Sequence, residues 1–141
     1  MLAVPVAAAV IRRDDNTVLL TQRQEGTHLA GRWEFPGGKL ESGESPEDAL
    51  VRECREECGI EVAVGDIVDV TYHRFPEIDV LLLFYDCRLL SGAVKHVQVA
   101  DHAWVDAEGL AGYTFPPSDL RVVEKVRAML RAGAPCALAV S

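Results

Sequence analysis

Between residues 45 and 59 the chain specifies a helix at both its ends and on both its faces. Ser45 precedes Pro46, Glu47 and Asp48. A serine cap, a proline at the first helical position and acids in the first turn are the chemistry of a helix start. Asp48 lies three residues after the cap, where a capping box more usually carries Glu or Gln. Gly59 stands where a left-handed residue ends a helix, so the spacing predicts a helix from Pro46 to Cys58. Each residue turns the helix by about 100°. Leu50, Val51, Cys54 and Cys58 then share one arc, expected to face the core. Glu53, Glu56 and Glu57 share another, with Ala49 expected on that carboxylate arc and leaving room above it.

Three carboxylates this close repel one another and weaken the isolated helix. A divalent cation reverses the sign of that interaction, and oxygen-only ligands suit Mg²⁺ or Mn²⁺ better than zinc. Glu56-Glu57 alone would read as a solvated acidic face. The wider pattern says more. It runs Gly38, five residues, Glu44, seven residues, Arg52-Glu53, an apolar residue, any residue, Glu56-Glu57, any residue, Gly59 and an apolar residue. This resembles the Nudix box at every fixed position. The resemblance implies an α/β protein, a Nudix αβα sandwich with a mixed central sheet and a catalytic loop-helix-loop.

The chain has 141 residues, enough for one domain with a real core, and we expect that domain to span residues 1–133. Residues 134–141 carry no evident pattern and are expected to form a loose tail. The formal net charge is −8 and there is no Lys/Arg run. That argues against a nucleic-acid polymer as partner, yet suits a free nucleotide held through bridging cations. Cys54 and Cys58 lie one helical turn apart on the apolar arc, with no Cys or His at finger spacing. They read as small buried hydrophobes, and reduced thiols fit a cytoplasmic protein. The apolar stretch from Leu2 to Ile11 has no basic residue before it and is too short to span a membrane.

Val4, Val6, Ala8 and Val10 alternate with small apolar residues, as in a strand buried on both faces. Arg12 to Thr17 reads as a turn, Val18 to Arg23 as the returning strand, and Gln24 to Arg32 as a polar loop carrying His28. Two long strands are expected over Glu61–Phe75 and Ile78–Leu90, and a further one over Val97–Val105. Pro117 or Ser118 is expected to open a last helix, in which Val122, Val123, Val126, Met129 and Leu130 follow helical spacing.

Outside the box, Gln22-Arg23, Trp33-Glu34-Phe35-Pro36-Gly37-Gly38-Lys39 and Phe115-Pro116-Pro117 resemble the MutT-like and CTP pyrophosphohydrolase-like branch of the Nudix family. That branch hydrolyses nucleoside triphosphates to the monophosphate and pyrophosphate. The resemblance implies metal binding by Glu53, Glu56 and Glu57 and by the main-chain carbonyl of Gly37 or Gly38. Glu53 is the candidate to position or deprotonate the attacking water, and Arg52 is expected to clamp the carboxylates. Arg23 and Lys39 are candidates for phosphate contacts, and His28 for substrate binding. Phe35, Phe75 and Val80 fall where the branch packs against the base, although each also reads as ordinary core.

Two positions depart from close relatives. Asp119 stands where the oxidised-guanine specialist has an Asn, and where the CTP-specific relative has an Asp. An ionised Asp only accepts hydrogen bonds, which favours an amine such as N4 of cytosine, with oxidised purines such as 8-oxo-dGTP as a second class. Asp119 can equally be read as a cap on the last helix. Gln98 replaces a Glu that relatives use as an extra ligand or base, and Asp101 is the candidate substitute. The expected activity is Mg²⁺-dependent hydrolysis of a nucleoside triphosphate by a monomer or homodimer. The alternatives are a nucleotide sugar or dinucleotide polyphosphate as substrate, or a non-catalytic nucleotide-binding module.

Overall fold

The computed structural model describes residues 2–133, so the expected tail at 134–141 lies outside the described residues. β1 (Val4–Arg12) is the strand on which both faces of the molecule are built. Ala8 and Val10 join one buried cluster, with Leu20, Phe84 and Val122, Val123, Val126 and Leu130. Ala7, Ala9 and Ile11 join the other, with Leu19, Ala49, Leu50, Cys54 and Cys58. The alternation in the sequence therefore describes a strand with a helix layer on each side.

The remaining elements are β2 (Val18–Gln22), β3 (Trp33–Glu34), β4 (Gly37–Lys39), α1 (Pro46–Cys58), β5 (Glu61–Arg74), β6 (Asp79–Ser91), β7 (Asp101–Val105) and α2 (Leu120–Ala132). The order along the sheet is β3-β2-β1-β6-β5, with β4 also pairing with β1 and β7 with β2. β1 and β6 run parallel and every other pairing is antiparallel, so the sheet is mixed. This is the expected αβα sandwich. No helix among the described residues is long and apolar enough to cross a membrane.

α1 begins and ends as its sequence requires. Ser45 Oγ accepts the Asp48 N–H at 3.1 Å, and Gly59 takes φ 65°, its N–H returning to the Arg55 carbonyl. Three expectations need correction. Ala49 is fully buried in the core under α1 rather than standing open on the carboxylate arc. The last strand begins at Asp101 instead of Val97. Its expected first residues lose the ladder because the N–H groups of Lys95, Val97 and Gln98 donate to the Cys58 and Glu57 carbonyls at the end of α1. α2 begins at Leu120, behind a 3₁₀ turn over Pro117–Asp119. Met129 is only partly buried, whereas Val122, Val123, Val126 and Leu130 reach the core.

Replacing the cap, Ser45→Ala, is expected to lower unfolding free energy by about 1 kcal/mol in urea denaturation, with the slope unchanged.

Candidate active site

The site is assembled where β4 passes beneath α1. Gly37 and Gly38 lie in a ladder with β1, opposite Ala8 and Ala7. Ala9 N–H donates to the Pro36 carbonyl and Leu40 N–H to the Pro5 carbonyl. In an antiparallel ladder bonded and non-bonded pairs alternate. Gly38 is thereby committed to Ala7, while the polar groups of Gly37 turn away from β1. Gly37 N–H donates to Glu57 Oε2 at 3.2 Å. Of the two carbonyls expected to serve as a ligand, the one at Gly37 is the one this register leaves to the site.

Both glycines are there because the space is taken. A Cβ on Gly37 would lie 2.0 Å from the Ala7 carbonyl oxygen, inside main chain that cannot yield. A Cβ on Gly38 would lie 2.6 Å from Cδ of Glu53. The carboxylate of Glu53 thus rests directly on the Gly38 backbone.

Arg52 organises the other side. Its Nε and Nη2 hold the two oxygens of Glu44 at 2.8 and 2.9 Å, a bidentate pair. Nη1 donates to Glu53 Oε1 at 2.8 Å and to Glu56 Oε2 at 3.1 Å, and Nη2 also reaches the Lys39 carbonyl at 3.1 Å. One guanidinium therefore joins the loop before α1 to two carboxylates on the helix. The Arg52 hydrogen bonds, with help from the Glu41 N–H, hold Glu44 down to about 2. They stabilise it as an anion.

The remaining carboxylates are pushed the other way. Burial raises Glu53, and the pull of Arg52 does not cancel it. Burial, reinforced by Glu53 and Glu34, raises Glu57 to about 8. Glu34, on β3, is not among the residues expected at the site, yet it belongs to this group and is itself raised by burial. The signal available is an acid set between two aromatic residues, Trp33 and Phe35. Negative charge crowded into a partly dry site, beside an outward main-chain carbonyl, is a donor set that a hard divalent cation fits.

Arg23 is the counter-charge on this side. Nη1 bonds Glu34 at 3.0 and 3.2 Å and Nε bonds the His28 carbonyl at 2.5 Å. The structure thus brings Arg23 to the buried carboxylates. Lys39 is exposed on β4. Asp119 is 6% exposed, and among the described residues its carboxylate accepts a long 3.3 Å bond from Ser118 Oγ. It makes no capping bond to α2, so the cap reading is not realised. Burial, then the nearby Glu34, raises it to about 7.

The expected base-contact residues divide. Phe75 meets the exposed His28 ring edge-on at 5.3 Å and His73 at 4.3 Å, an aromatic group drawn from two segments. Phe35 is 3% exposed, packed against Phe84 and Phe115 in the core. Val80 is also buried. Asp101, the candidate substitute for the missing Glu, instead accepts the His102 N–H at 2.7 Å and faces His96. Gln98 is exposed. Cys54 and Cys58 are buried thiols, Cys58 pushed up to about 12 by burial, as their apolar reading requires. A depression of ≈ 410 Å³ at Arg12–Asp15 and Arg88 contains none of these groups.

Similarity to known proteins agrees with this geometry. The NUDIX domain family matches residues 7–125. The chain is 32% identical over 127 residues to the 8-oxo-dGTP diphosphatase of Escherichia coli strain K12, covering 90% of this chain and 98% of that protein. It is 37% identical over 138 residues to the CTP pyrophosphohydrolase of the same strain, covering 96% and 98%. Among solved structures, a MutT protein from Methanosarcina mazei Go1 superposes with a TM-score of 0.79 at 27% identity, over 94% of this chain and 96% of that one. The chain belongs to the NUDIX domain family. Its relatives are diphosphatases and pyrophosphohydrolases of nucleotides by name.

The raised carboxyls make stability depend on pH in a defined direction. A folded-state pKa above the unfolded value means that the folded protein keeps protons the unfolded chain has lost. Stability then falls as pH rises from the usual carboxylate range to about 8, the value at Glu57. In chelator, Tm is expected to drop across that interval. Mg²⁺ should restore it at the alkaline end, and Glu57→Gln should flatten the profile.

Proposed function

We propose that this Nudix hydrolase cleaves a nucleoside triphosphate to the monophosphate and pyrophosphate with Mg²⁺ (Mn²⁺ as substitute), preferring cytosine nucleotides. The observation that carries the reaction class is the placement of Glu53 and Glu57 against Gly38 and Gly37, with Arg52 tying Glu53 to Glu56 on the same helix. Glu53, Glu56, Glu57 and the Gly37 carbonyl would hold the ion. When bound, it would neutralise polyphosphate charge and favour departure of the bridging oxygen. Arg52 keeps Glu53 and Glu56 aimed, and Glu53 would position the attacking water. Arg23 tempers the charge of Glu34 and Glu57, so that an anionic substrate meets less repulsion. Lys39, exposed beside the site, is available to the phosphates.

The base preference rests on Asp119. It is buried, weakly partnered and close enough to Glu34 and Arg23 to feel both. As a carboxylate it accepts from an amine, which suits N4 of cytosine. His28 and Phe75 provide a ring surface for stacking. The 37% identity to a CTP pyrophosphohydrolase over nearly both full chains supports the same choice. Oxidised dGTP is the second reading, favoured by the 8-oxo-dGTP diphosphatase relatives.

Glu53→Gln is expected to lower kcat by about 10²–10⁴-fold in a pyrophosphate-release assay with Mg²⁺, folding intact. Unchanged turnover would remove Glu53 from the reaction.

The carboxyl of Asp119 titrates near pH 7, so it donates below that pH and only accepts above it. The ratio of CTP or dCTP turnover to that of 8-oxo-dGTP is therefore expected to rise as pH increases through about 7. Asp119→Asn should make the ratio flat and lower. A flat ratio in the unmodified protein, with 8-oxo-dGTP preferred throughout, would overturn the cytosine assignment.

A further inference from the structure

The loop after β6 and the start of β7 bring together three ligand-type side chains that the carboxylate site does not use. His96 Nε2 and His102 Nδ1 are 2.8 Å apart, and Asp101 Oδ1 is 3.8 Å from His96 Nε2. One ligand atom from each residue lies within 4.8 Å of the others. Donors around a four-coordinate zinc ion, with bonds near 2.0–2.1 Å, are about 3.3 Å apart. The observed spacings bracket that value.

At 2.8 Å the two facing ring nitrogens cannot both carry a proton, so one must present a lone pair to the other. A cation in place of the shared proton would use both lone pairs and gain the carboxylate. Two imidazoles and one carboxylate suit a borderline transition cation, whereas Mg²⁺ prefers oxygen alone.

The ligands are also held in place. His96 lies between anchored neighbours, since Lys95 N–H donates to the Cys58 carbonyl at 2.9 Å and Val97 and Gln98 N–H donate to the Glu57 carbonyl at 3.2 and 3.1 Å. On the other side Ala100 N–H bonds the Gln22 carbonyl, and Asp101 and His102 pair with Gln22 and Thr21 in the sheet. Asp101 Oδ1 is oriented by the His102 N–H. The chain therefore meets the cation with little ordering still to be done.

We propose that His96, Asp101 and His102 form a site for a Zn²⁺-class cation, built from side chains that the carboxylate site does not use. The three protein ligands leave one tetrahedral position for water. Binding there would stiffen the segment whose N–H groups hold the last carbonyls of α1, the helix that carries Glu57.

The test uses untagged, chelator-treated full-length protein in saturating Mg²⁺, titrated with Zn²⁺ by calorimetry and with Co²⁺ by visible absorption. One Zn²⁺ equivalent is expected to bind despite the Mg²⁺, and Co²⁺ should show the strong absorption of a four-coordinate ion. His96→Ala and His102→Ala should each weaken Zn²⁺ binding by more than about tenfold, and Asp101→Asn by less. His96→Gln repeats the test with smaller change to the loop. Glu56→Gln should leave binding intact. Absence of Zn²⁺ binding in Mg²⁺, or unchanged binding in the double variant His96→Ala/His102→Ala, would overturn the site. So would a weak, six-coordinate Co²⁺ spectrum abolished by Glu56→Gln.

Discussion

The geometry of this protein's site hangs on the Arg52 guanidinium. It holds Glu44 in bidentate fashion, donates to Glu53 and Glu56, and reaches the Lys39 carbonyl. Without it three acidic side chains from a loop and a helix would share a small volume with nothing to set their directions. Exposed ion pairs contribute little singly, but a planar fork engaged at every nitrogen is a different object. It converts mutual repulsion into a fixed orientation. A lysine could supply the charge, but not the two parallel bonds to Glu44.

A second opposition lies across the site. Glu44 is held down by its arginine, whereas Glu53, Glu57, Glu34 and Asp119 are held up by burial. The helix and sheet thus store unfavourable desolvation where a cation and a polyphosphate would relieve it. Folding tolerates this because both faces of β1 are covered by extensive apolar clusters. Stability is supplied by the core, and the site carries the unfavourable desolvation.

The helix and its carboxylates were legible because their determinants are local: a serine cap, a proline, a terminal glycine and acids at spacings of one, three and four. The alternation of β1 announced a strand with two covered faces, and hence a layered fold. What escaped depended on distant partners. Glu34 becomes part of the site only because β3 pairs at the end of β2, next to Arg23. Ala49 faces inward because the sheet approaches α1 from that side. Val97, Gln98 and Ala100 look like strand, yet their amides are claimed by the end of α1 and by Gln22. Phe35 lies two residues before the glycine pair, but its ring packs against Phe84 and Phe115 in the core.

β4 belongs to two structures at once. Its three residues are a short rung of the sheet, and one of its glycines turns an amide toward Glu57. The position of that glycine is dictated by Ala7 and Ala8, about thirty residues upstream and far in sequence from the carboxylates of α1. A change in the curvature of β1 would therefore shift the floor of the site without touching a single carboxylate. The path of the β1 main chain at Ala7 and Ala8 thus fixes where the Gly37 amide meets Glu57, independently of the side chains β1 carries there.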